Sequence, residues 1–338
     1  MTLATLSSFA CSPVTSQRRY PDAIVDEAHK IYWVDNETIL FKGFPKSYSP
    51  TNFGSSAIRN INLLTTTTGA IKHHADADDS GAFCFSEGFI LYRQSGQILY
   101  GTVGNEVVVS ENVRKLLMGR IPMSWARCTV PELPISREHP EKVVALLERH
   151  GFIEVRVPKG GTEWSCANEC ELLLWRQGAN QPIKIKNYAL LQARNILMDD
   201  IYYAPFKSAY FNSGIEYPDS KSGGKFVGWW LFPDGKTEKL ILPEGNWLRF
   251  SRTNHEYLPY KNGLLINVGR PDSKIYMFQK SENENYLPPK TIFEGIVWGR
   301  AVSPDGCKLA ITTGAKQVPN NDPKHMSHIE VIDLCAQM

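Results

Sequence analysis

Long hydrophobic runs and an excess of one charge are both missing from this sequence. No uninterrupted apolar run approaches the roughly 20 residues that a helix needs to cross a bilayer, so we expect no integral membrane segment. The 37 Lys and Arg residues nearly balance the 35 Asp and Glu residues, and the formal net charge is +2. This balance gives no reason to expect electrostatic binding to nucleic acid.

Recognisable catalytic motifs are also missing. The sequence has no G-x-S-x-G nucleophile elbow, H-E-x-x-H zinc motif, P-loop or G-x-G-x-x-G dinucleotide motif. The stretch "KHHADADDSG", residues 72–81, gathers two His and three Asp, but its glycine is misplaced for a calcium loop. We interpret this stretch as a solvated loop. We therefore predict no catalytic residue, no metal site and no cofactor, and favour a binding protein over an enzyme.

The N-terminal segment, residues 1–20, allows two interpretations. Small residues lead into Cys11, as they do at the lipidation site of a bacterial lipoprotein signal, yet a positive n-region and a full apolar h-region are missing. The segment is either a truncated lipoprotein signal, lipidated at Cys11, or a tail with an incidental cysteine. Residues 21–338 form the predicted domain.

The cysteines bear on the same question. Apart from Cys11 there are six, an even number that fits disulfides in an oxidising compartment. Cys166 and Cys170 are the only close pair, and a C-x3-C pair with no second pair or His nearby is a poor zinc site. We favour a disulfide between them over two partly buried thiols.

The sequence does contain many short apolar runs separated by turn residues. Examples are "KIYWVDNETILFKGF", "GFILYRQSGQILYGTV" and "KFVGWWLFPDGKTEKLIL", in which Asp-Asn, Ser-Gly or Pro-Asp-Gly stands between two runs. Short strands at regular spacing predict a sandwich, a barrel or a propeller. Because the chain has 338 residues, blades of about 40–50 residues fit best. We predict an all-β chain forming a single β-propeller of six or seven four-stranded blades.

Two segments resemble blades of the WD/TolB-like β-propeller superfamily. In "AVSPDGCKLAITTG … HIEVIDLC", residues 301–335, a Ser-Pro-Asp-Gly turn precedes a Lys-Leu-Ala strand and a later Ile-Asp-Leu segment. "INLLTTTTGAIKHH", residues 61–74, resembles the last two strands of such a blade. The resemblance implies the propeller fold. It implies no chemistry, because the superfamily is functionally diverse.

One segment interrupts the β pattern. In "REHPEKVVALLERHG" Pro140 suits a first helical position and Gly151 a stop. One helical face would carry Val143, Leu146, Leu147 and His150. This spacing predicts one short inserted helix near residues 140–150.

The segment from Tyr202 to Gly224 is long for a connection and rich in Tyr and Phe. Long loops are usually functional or disordered, and exposed aromatic residues are typical of recognition hot spots. We predict a partner-binding loop containing Tyr210, Phe211 and Tyr217. The alternative is that Tyr210 and Phe211 belong to buried strands of an ordinary blade.

Two functions from different classes follow from these observations. The first is a non-catalytic protein-binding propeller in the periplasm of a bacterial envelope, with Cys11 as a lipid anchor. Its partner would be another protein: a toxin that it neutralises as an immunity protein, or a component of a secretion system or other complex. The second is a hydrolase or lyase acting on a glycan or peptide in the central channel. Acids and histidines converging from several blades would favour the second.

Overall fold

The computed structural model describes residues 16–25, 31–44, 59–78, 83–86, 88–108, 143–147, 151–156, 171–175, 181–185, 202–216, 225–241, 243, 255–269, 273–281, 283, 285–314 and 327–336. Strands dominate these residues. In chain order they are β1 (Gln17–Ile24), β2 (Ile31–Trp33), β3 (Thr38–Gly43), β4 (Arg59–Thr65), β5 (Ile71–Ala77), β6 (Phe83–Ser86), β7 (Phe89–Gln94), β8 (Gln97–Thr102), β9 (Asn105–Val108), β10 (Val143–Leu147), β11 (Gly151–Arg156), β12 (Glu171–Trp175), β13 (Ile183–Lys184), β14 (Tyr202–Ala204), β15 (Ala209–Glu216), β16 (Lys225–Leu231), β17 (Thr237–Ile241), β18 (His255–Tyr260), β19 (Gly263–Val268), β20 (Lys274–Gln279), β21 (Lys290–Glu294), β22 (Val297–Val302), β23 (Lys308–Thr313) and β24 (His328–Asp333).

The described strands pair into six four-stranded antiparallel sheets. Five contain consecutive strands: sheet 1 (β2–β5), sheet 2 (β6–β9), sheet 3 (β10–β13), sheet 4 (β14–β17) and sheet 5 (β18–β21). Sheet 6 has the order β22-β23-β24-β1, so the N-terminal strand completes the sheet that the C-terminal strands begin. β1 starts at Gln17, within the segment that the sequence assigned to a tail.

Middle strands are buried on both faces. Leu309, Ala310 and Ile311 in β23 are consecutive, and each is 0% exposed. Neighbouring residues of a strand point to opposite faces, so this strand is covered on both sides. Such burial explains why the apolar runs in the sequence are continuous and do not alternate with polar residues.

The first strands of neighbouring sheets contact one another, as the inner strands of a propeller do. Trp33 of β2 donates from Nε1 to the carbonyl oxygen of Ala301 in β22, at 2.9 Å. Tyr32 of β2 packs edge-on against Phe83 of β6, with ring centroids 5.5 Å apart. β14 likewise contacts β18, and β18 contacts β22. The predicted all-β propeller arrangement is therefore confirmed.

Buried clusters of described residues fill the spaces between sheets. They join sheet 4 to sheet 5, sheet 5 to sheet 6, sheet 6 to sheet 1 and sheet 1 to sheet 2. This packed series contains five sheets, so it does not bear out the predicted six or seven blades. Sheet 3 is a further four-stranded sheet that none of these clusters includes. Its Ile183 lies against Gly235 in the β16–β17 turn of sheet 4.

The predicted helix near residues 140–150 is wrong. Residues 143–147 form β10, which pairs with β11 from Val143↔Val155 to Leu147↔Gly151. Spacing alone cannot distinguish a short apolar run in a helix from one in a strand, and here strand pairing decides. A 3-10 turn at Pro205–Lys207 is helical, but across the described ranges no helix has the length and apolar character that crossing a bilayer requires.

Turns predicted from Pro-Asp-Gly lie where expected. Gly235 and Gly306 adopt φ of +85° and +74°, a region that favours glycine. Gly306 donates to the carbonyl oxygen of Ser303 at 2.8 Å and joins β22 to β23. A side chain at Gly306 would also meet Lys261 and Phe206, so this turn packs closely on neighbouring sheets.

Candidate functional site

A cleft of about 500 Å³ opens at the outer end of the interface between sheets 5 and 6. We call it the outer cleft. Its walls come from β21, the outermost strand of sheet 5, and from β1, β24 and β23 of sheet 6. The lining residues are Gln17, Arg19, Thr291, Ile292, Phe293, Glu294, Gly295, Thr313 and Glu330.

Strand register brings the charged residues of the sheet 6 wall together. Arg19 of β1 lies directly opposite Glu330 of β24, which lies opposite Ile311 of β23. Directly opposite residues share one face of a sheet. This face packs on sheet 5 through Leu309, Ile311 and Ile332, so Glu330 sits where that apolar core meets the outer cleft.

Glu330 is a buried carboxylate, only 1% exposed. Its Oε1 accepts from Nε of Arg19 at 2.7 Å and lies 2.9 Å from Nε2 of His328, while Oε2 accepts from the side-chain amide of Gln17. Burial alone would raise the pKa of this carboxyl. The hydrogen bonds from His328, Arg19 and Gln17, with the charge of Arg19, outweigh burial and lower the pKa to about 2.

Arg19 is anchored at one nitrogen and open at the others. Its side chain is 63% exposed although its partner Glu330 is buried. Within the part of the chain that the structure describes, Nε bonds to Glu330 and neither terminal nitrogen makes a hydrogen bond. Neighbouring Arg18 differs, because its Nη1 donates to the carbonyl oxygens of Thr66 and Thr67 at 2.9 and 2.7 Å.

The opposite wall of the outer cleft is charge-balanced. Glu294, 67% exposed, forms an ion pair with Lys274 at 3.0 Å. The pairing of β21 with β20 shifts register between Ile275 and Tyr276 of β20. Bulges commonly re-aim side chains beside binding sites. Here the irregularity lies opposite Thr291 and Phe293, which line the cleft.

The inner strands offer little for acid and base chemistry. In the described β2, β6, β10, β14, β18 and β22 there is one carboxylate, Glu256 of β18, and it forms an ion pair with Arg300 of β22. A glycosidase-type mechanism needs two carboxyl groups. Among the described residues, moreover, no three His, Cys, Asp or Glu side chains gather closely enough to hold a metal ion.

The predicted partner-binding loop is largely strand. Tyr210 and Phe211 lie in β15, 4% and 1% exposed, and Phe211 packs against Trp230 with ring centroids 5.1 Å apart. The alternative interpretation, buried strands of an ordinary blade, is therefore correct for these two residues. Their rings face neighbouring strands and are not available to a partner. Tyr217 lies outside the described residues.

The predicted cysteine sites also lie outside the described residues, since Cys11, Cys166 and Cys170 all do. A disulfide that the sequence did not single out joins Cys307 to Cys335, with Cα atoms 5.0 Å apart. It ties the β22–β23 turn to the chain just beyond β24. Sequence parity indicated disulfides but could not assign this pairing.

The described part of the acidic and histidine-rich stretch is mostly strand. Residues 71–77 form β5, an outer strand, and the side chains are paired: His73 with Asp76 at 2.9 Å and His74 with Glu106 of β9 at 2.7 Å. Asp78 accepts from the backbone amides of the Ser95-Gly96 turn. His74 and Asp78 therefore join sheet 1 to sheet 2.

Sequence reasoning missed Gln17, Arg19 and Glu330. One signal was available: Glu330 interrupts the apolar run of "HIEVID", and a charge buried among apolar residues requires a partner. The partner could not be found from sequence, because Arg19 is 311 positions away.

Comparison with known proteins yields similarity of fold. No protein-family model matches the chain, and no curated protein matches it. Among solved structures, it is similar to one described as the mitotic checkpoint complex, at 10% identity and a TM-score of 0.42 over 98% of this chain and 96% of the other. It is also similar to an oligogalacturonate lyase from Vibrio parahaemolyticus, at 11% identity and a TM-score of 0.43 over 96% and 94%. A third is a 6-phosphogluconolactonase, so described provisionally, from Bacteroides uniformis, at 12% identity and 0.34 over 88% and 83%. With TM-scores under 0.5, these likenesses carry no argument. The predicted β-propeller fold is confirmed by the chain's own sheets and their contacts.

Proposed function

We propose that this chain is a non-catalytic, protein-binding β-propeller that engages its partner at the outer cleft. One observation carries the proposal. An exposed arginine, Arg19, is held by a buried carboxylate, Glu330, at the mouth of a cleft between two sheets. A charged side chain that a buried partner holds in place, and that solvent reaches, is prepared for contact with another molecule.

The architecture of the cleft suits a polypeptide partner. β1 and β21 end their sheets, so in the described structure one edge of each pairs with no further strand. Unpaired edges offer backbone donors and acceptors to an extended segment, the usual basis of recognition by strand addition. The side chains of Gln17, Thr291 and Thr313 are neutral polar groups in the cleft lining.

Among the described residues, no observation favours the alternative, a channel-centred hydrolase or lyase. That hypothesis requires acids and histidines from several blades in one central pocket. The described inner strands supply Glu256 and His255 from a single strand, and Glu256 is already paired with Arg300.

The finer parts of the prediction stay predictions from the sequence. They are a periplasmic location in a bacterial envelope, a lipid anchor at Cys11 and an immunity role against a toxin. The Cys307–Cys335 disulfide supports an oxidising compartment, where such bonds persist. Mass spectrometry of the native protein, alkylated before and after reduction, tests this bond: both thiols should be labelled only after reduction.

Site-specific photo-crosslinking in the native host tests the proposed function. A photoreactive amino acid is placed at Thr291, exposed on the cleft wall, and as a matched control at Val107, which is 64% exposed in β9 of sheet 2. We expect a protein adduct from Thr291 and none from Val107. Adducts of equal yield at both positions, or no adduct at either, would contradict binding at the outer cleft.

A further inference from the structure

The two terminal nitrogens of Arg19 form a fork that the structure leaves open. The Nε bond to Glu330 restrains the plane of the guanidinium, because a planar group fixed at one nitrogen can turn little about its remaining bonds. A planar fork of N–H donors matches a carboxylate in bidentate geometry. We propose that the outer cleft recognises an acidic segment of its partner, with an Asp or Glu carboxylate bound by the two terminal nitrogens of Arg19. This inference rests on the proposed function and names the chemistry of the partner.

The two carboxylates that line the cleft already have partners, whereas the terminal nitrogens of Arg19 make no hydrogen bond among the described residues. Glu330 is satisfied by three donors, and Glu294 is paired with Lys274. The other lining side chains, Gln17, Thr291 and Thr313 among them, are neutral. Among the described residues that line the cleft, the terminal nitrogens of Arg19 are therefore the charged donors without an acceptor. A bound anion would accept hydrogen bonds from them.

A carboxylate fits this cleft better than a phosphate. Glu330 and Glu294 place two negative charges in the lining. A phosphate monoester brings a charge of about −1.5 to −2 at neutral pH, so it would be repelled more strongly than a singly charged carboxylate. A phosphorylated segment is accordingly an outcome that the test must distinguish.

Glu330 acts as a positioning residue in this proposal. Both of its carboxylate oxygens already accept hydrogen bonds, from Gln17, Arg19 and His328, so it does not bind the partner itself. Its part is to hold the fork of Arg19 toward the cleft mouth. A fork that is fixed before binding loses less side-chain entropy on binding.

The experiment is a selection of random ten-residue peptides, displayed on ribosomes, against the full-length protein. Enriched peptides are synthesised, and their affinities for the wild type, Arg19→Gln, Arg19→Lys and Arg18→Gln are measured by fluorescence anisotropy. Arg18→Gln is the matched control. Arg18 is the neighbour of Arg19 in β1, but it bonds to Thr66 and Thr67 of sheet 1 and so lies on the face of sheet 6 away from the outer cleft. Each peptide is also made with Gln, and with phosphoserine, in place of its acidic residue.

We expect enrichment of Asp and Glu, and affinity at least about tenfold lower in Arg19→Gln, as for loss of a charge-assisted hydrogen bond. Arg19→Lys should lose part of the affinity, and Arg18→Gln almost none. Peptides without an acidic excess, equal affinity for Arg19→Gln, or tighter binding of the phosphoserine form would overturn the inference. Failure to enrich any peptide would also overturn the inference. In that case the crosslinking experiment at Thr291 decides separately whether a protein binds at the outer cleft.

Discussion

Sheet 6 packs against a neighbour on each face, and the two interfaces use different polar groups. Toward sheet 1, buried aromatic donors meet backbone carbonyls: Trp33 bonds to Ala301 at 2.9 Å, and the hydroxyl of Tyr20 donates to Thr66 at 2.6 Å. Arg18 and Lys308 also donate across this interface, but to backbone carbonyls and not to a carboxylate. Toward sheet 5, charged pairs stand at both ends of the apolar core. Glu256 and Arg300 lie on the inner strands, and Arg19 and Glu330 lie beside the outer cleft.

This difference shows how polarity decides which interface stays open. An indole or phenol can be enclosed once it has one acceptor, because the cost of burying a satisfied neutral donor is small. A guanidinium and a carboxylate are expensive to enclose together, so Arg19 remains in water while Glu330 is buried. The closed interface, between sheets 6 and 1, stabilises the fold, and the charged interface, between sheets 6 and 5, leaves the outer cleft open.

Removing the indole of Trp33 from the interface between sheets 6 and 1 should give the largest loss of stability. Trp33 is 6% exposed and belongs to the cluster between sheets 6 and 1. We expect Trp33→Ala to lower the free energy of unfolding by about 3–5 kcal/mol, measured by urea denaturation followed by circular dichroism. Trp33→Phe keeps most of the packing and loses the hydrogen bond, so it should cost clearly less. Equal costs for the two variants would show that packing does not dominate here.

The charged interface should give a pH-dependent effect. The pKa of Glu330 is lowered from an ordinary value of 4.5 to about 2, so this group stabilises the fold above pH 4.5, and that contribution is lost as the pH falls toward 2. The shift corresponds to about 3 kcal/mol. Glu330→Gln should therefore be less stable than wild type at pH 7, with the difference shrinking between pH 5 and 3 in urea titrations.

Glu294→Gln is the matched control for this prediction. Glu294 lines the same cleft but is 67% exposed, and exposed ion pairs contribute little to stability. We expect this variant to follow the wild type at every pH. A Glu330→Gln variant that does the same would show that the buried carboxylate contributes nothing through its charge.

The sequence predicted the closed interface far better than the charged one. Turns such as Ser303-Pro304-Asp305-Gly306 and continuous apolar strands are local signals, and they indicated four-stranded sheets. The sequence allowed a strand near the N-terminus to close the ring but did not locate β1, because "QRRYPDAI" contains charges and a proline, as an outer strand can. The outer cleft joins residues near both termini with β21, so only the closure of sheet 6 creates it. Tyr210 and Phe211 were misjudged because strand pairing, which composition does not reveal, buries both rings.

The smallest effect is expected at the hydroxyl of Tyr20. This group is buried and donates to the carbonyl oxygen of Thr66, which also accepts from Arg18 at 2.9 Å. Tyr20→Phe keeps the ring and leaves that carbonyl one donor, so the loss should be about 1 kcal/mol or less. Arg18→Gln should cost as little, since Tyr20 still donates.

The double variant then tests whether the carbonyl of Thr66 needs only one donor. Thr66 is 5% exposed, so losing both donors leaves a buried carbonyl with lone pairs that water reaches poorly, a state that costs about 1–3 kcal/mol. The cost of the double variant in urea titrations should therefore exceed the sum of the single costs. Simple additivity would mean that water reaches this carbonyl, and the interface with sheet 1 would then be less closed than the burial of Thr66 implies.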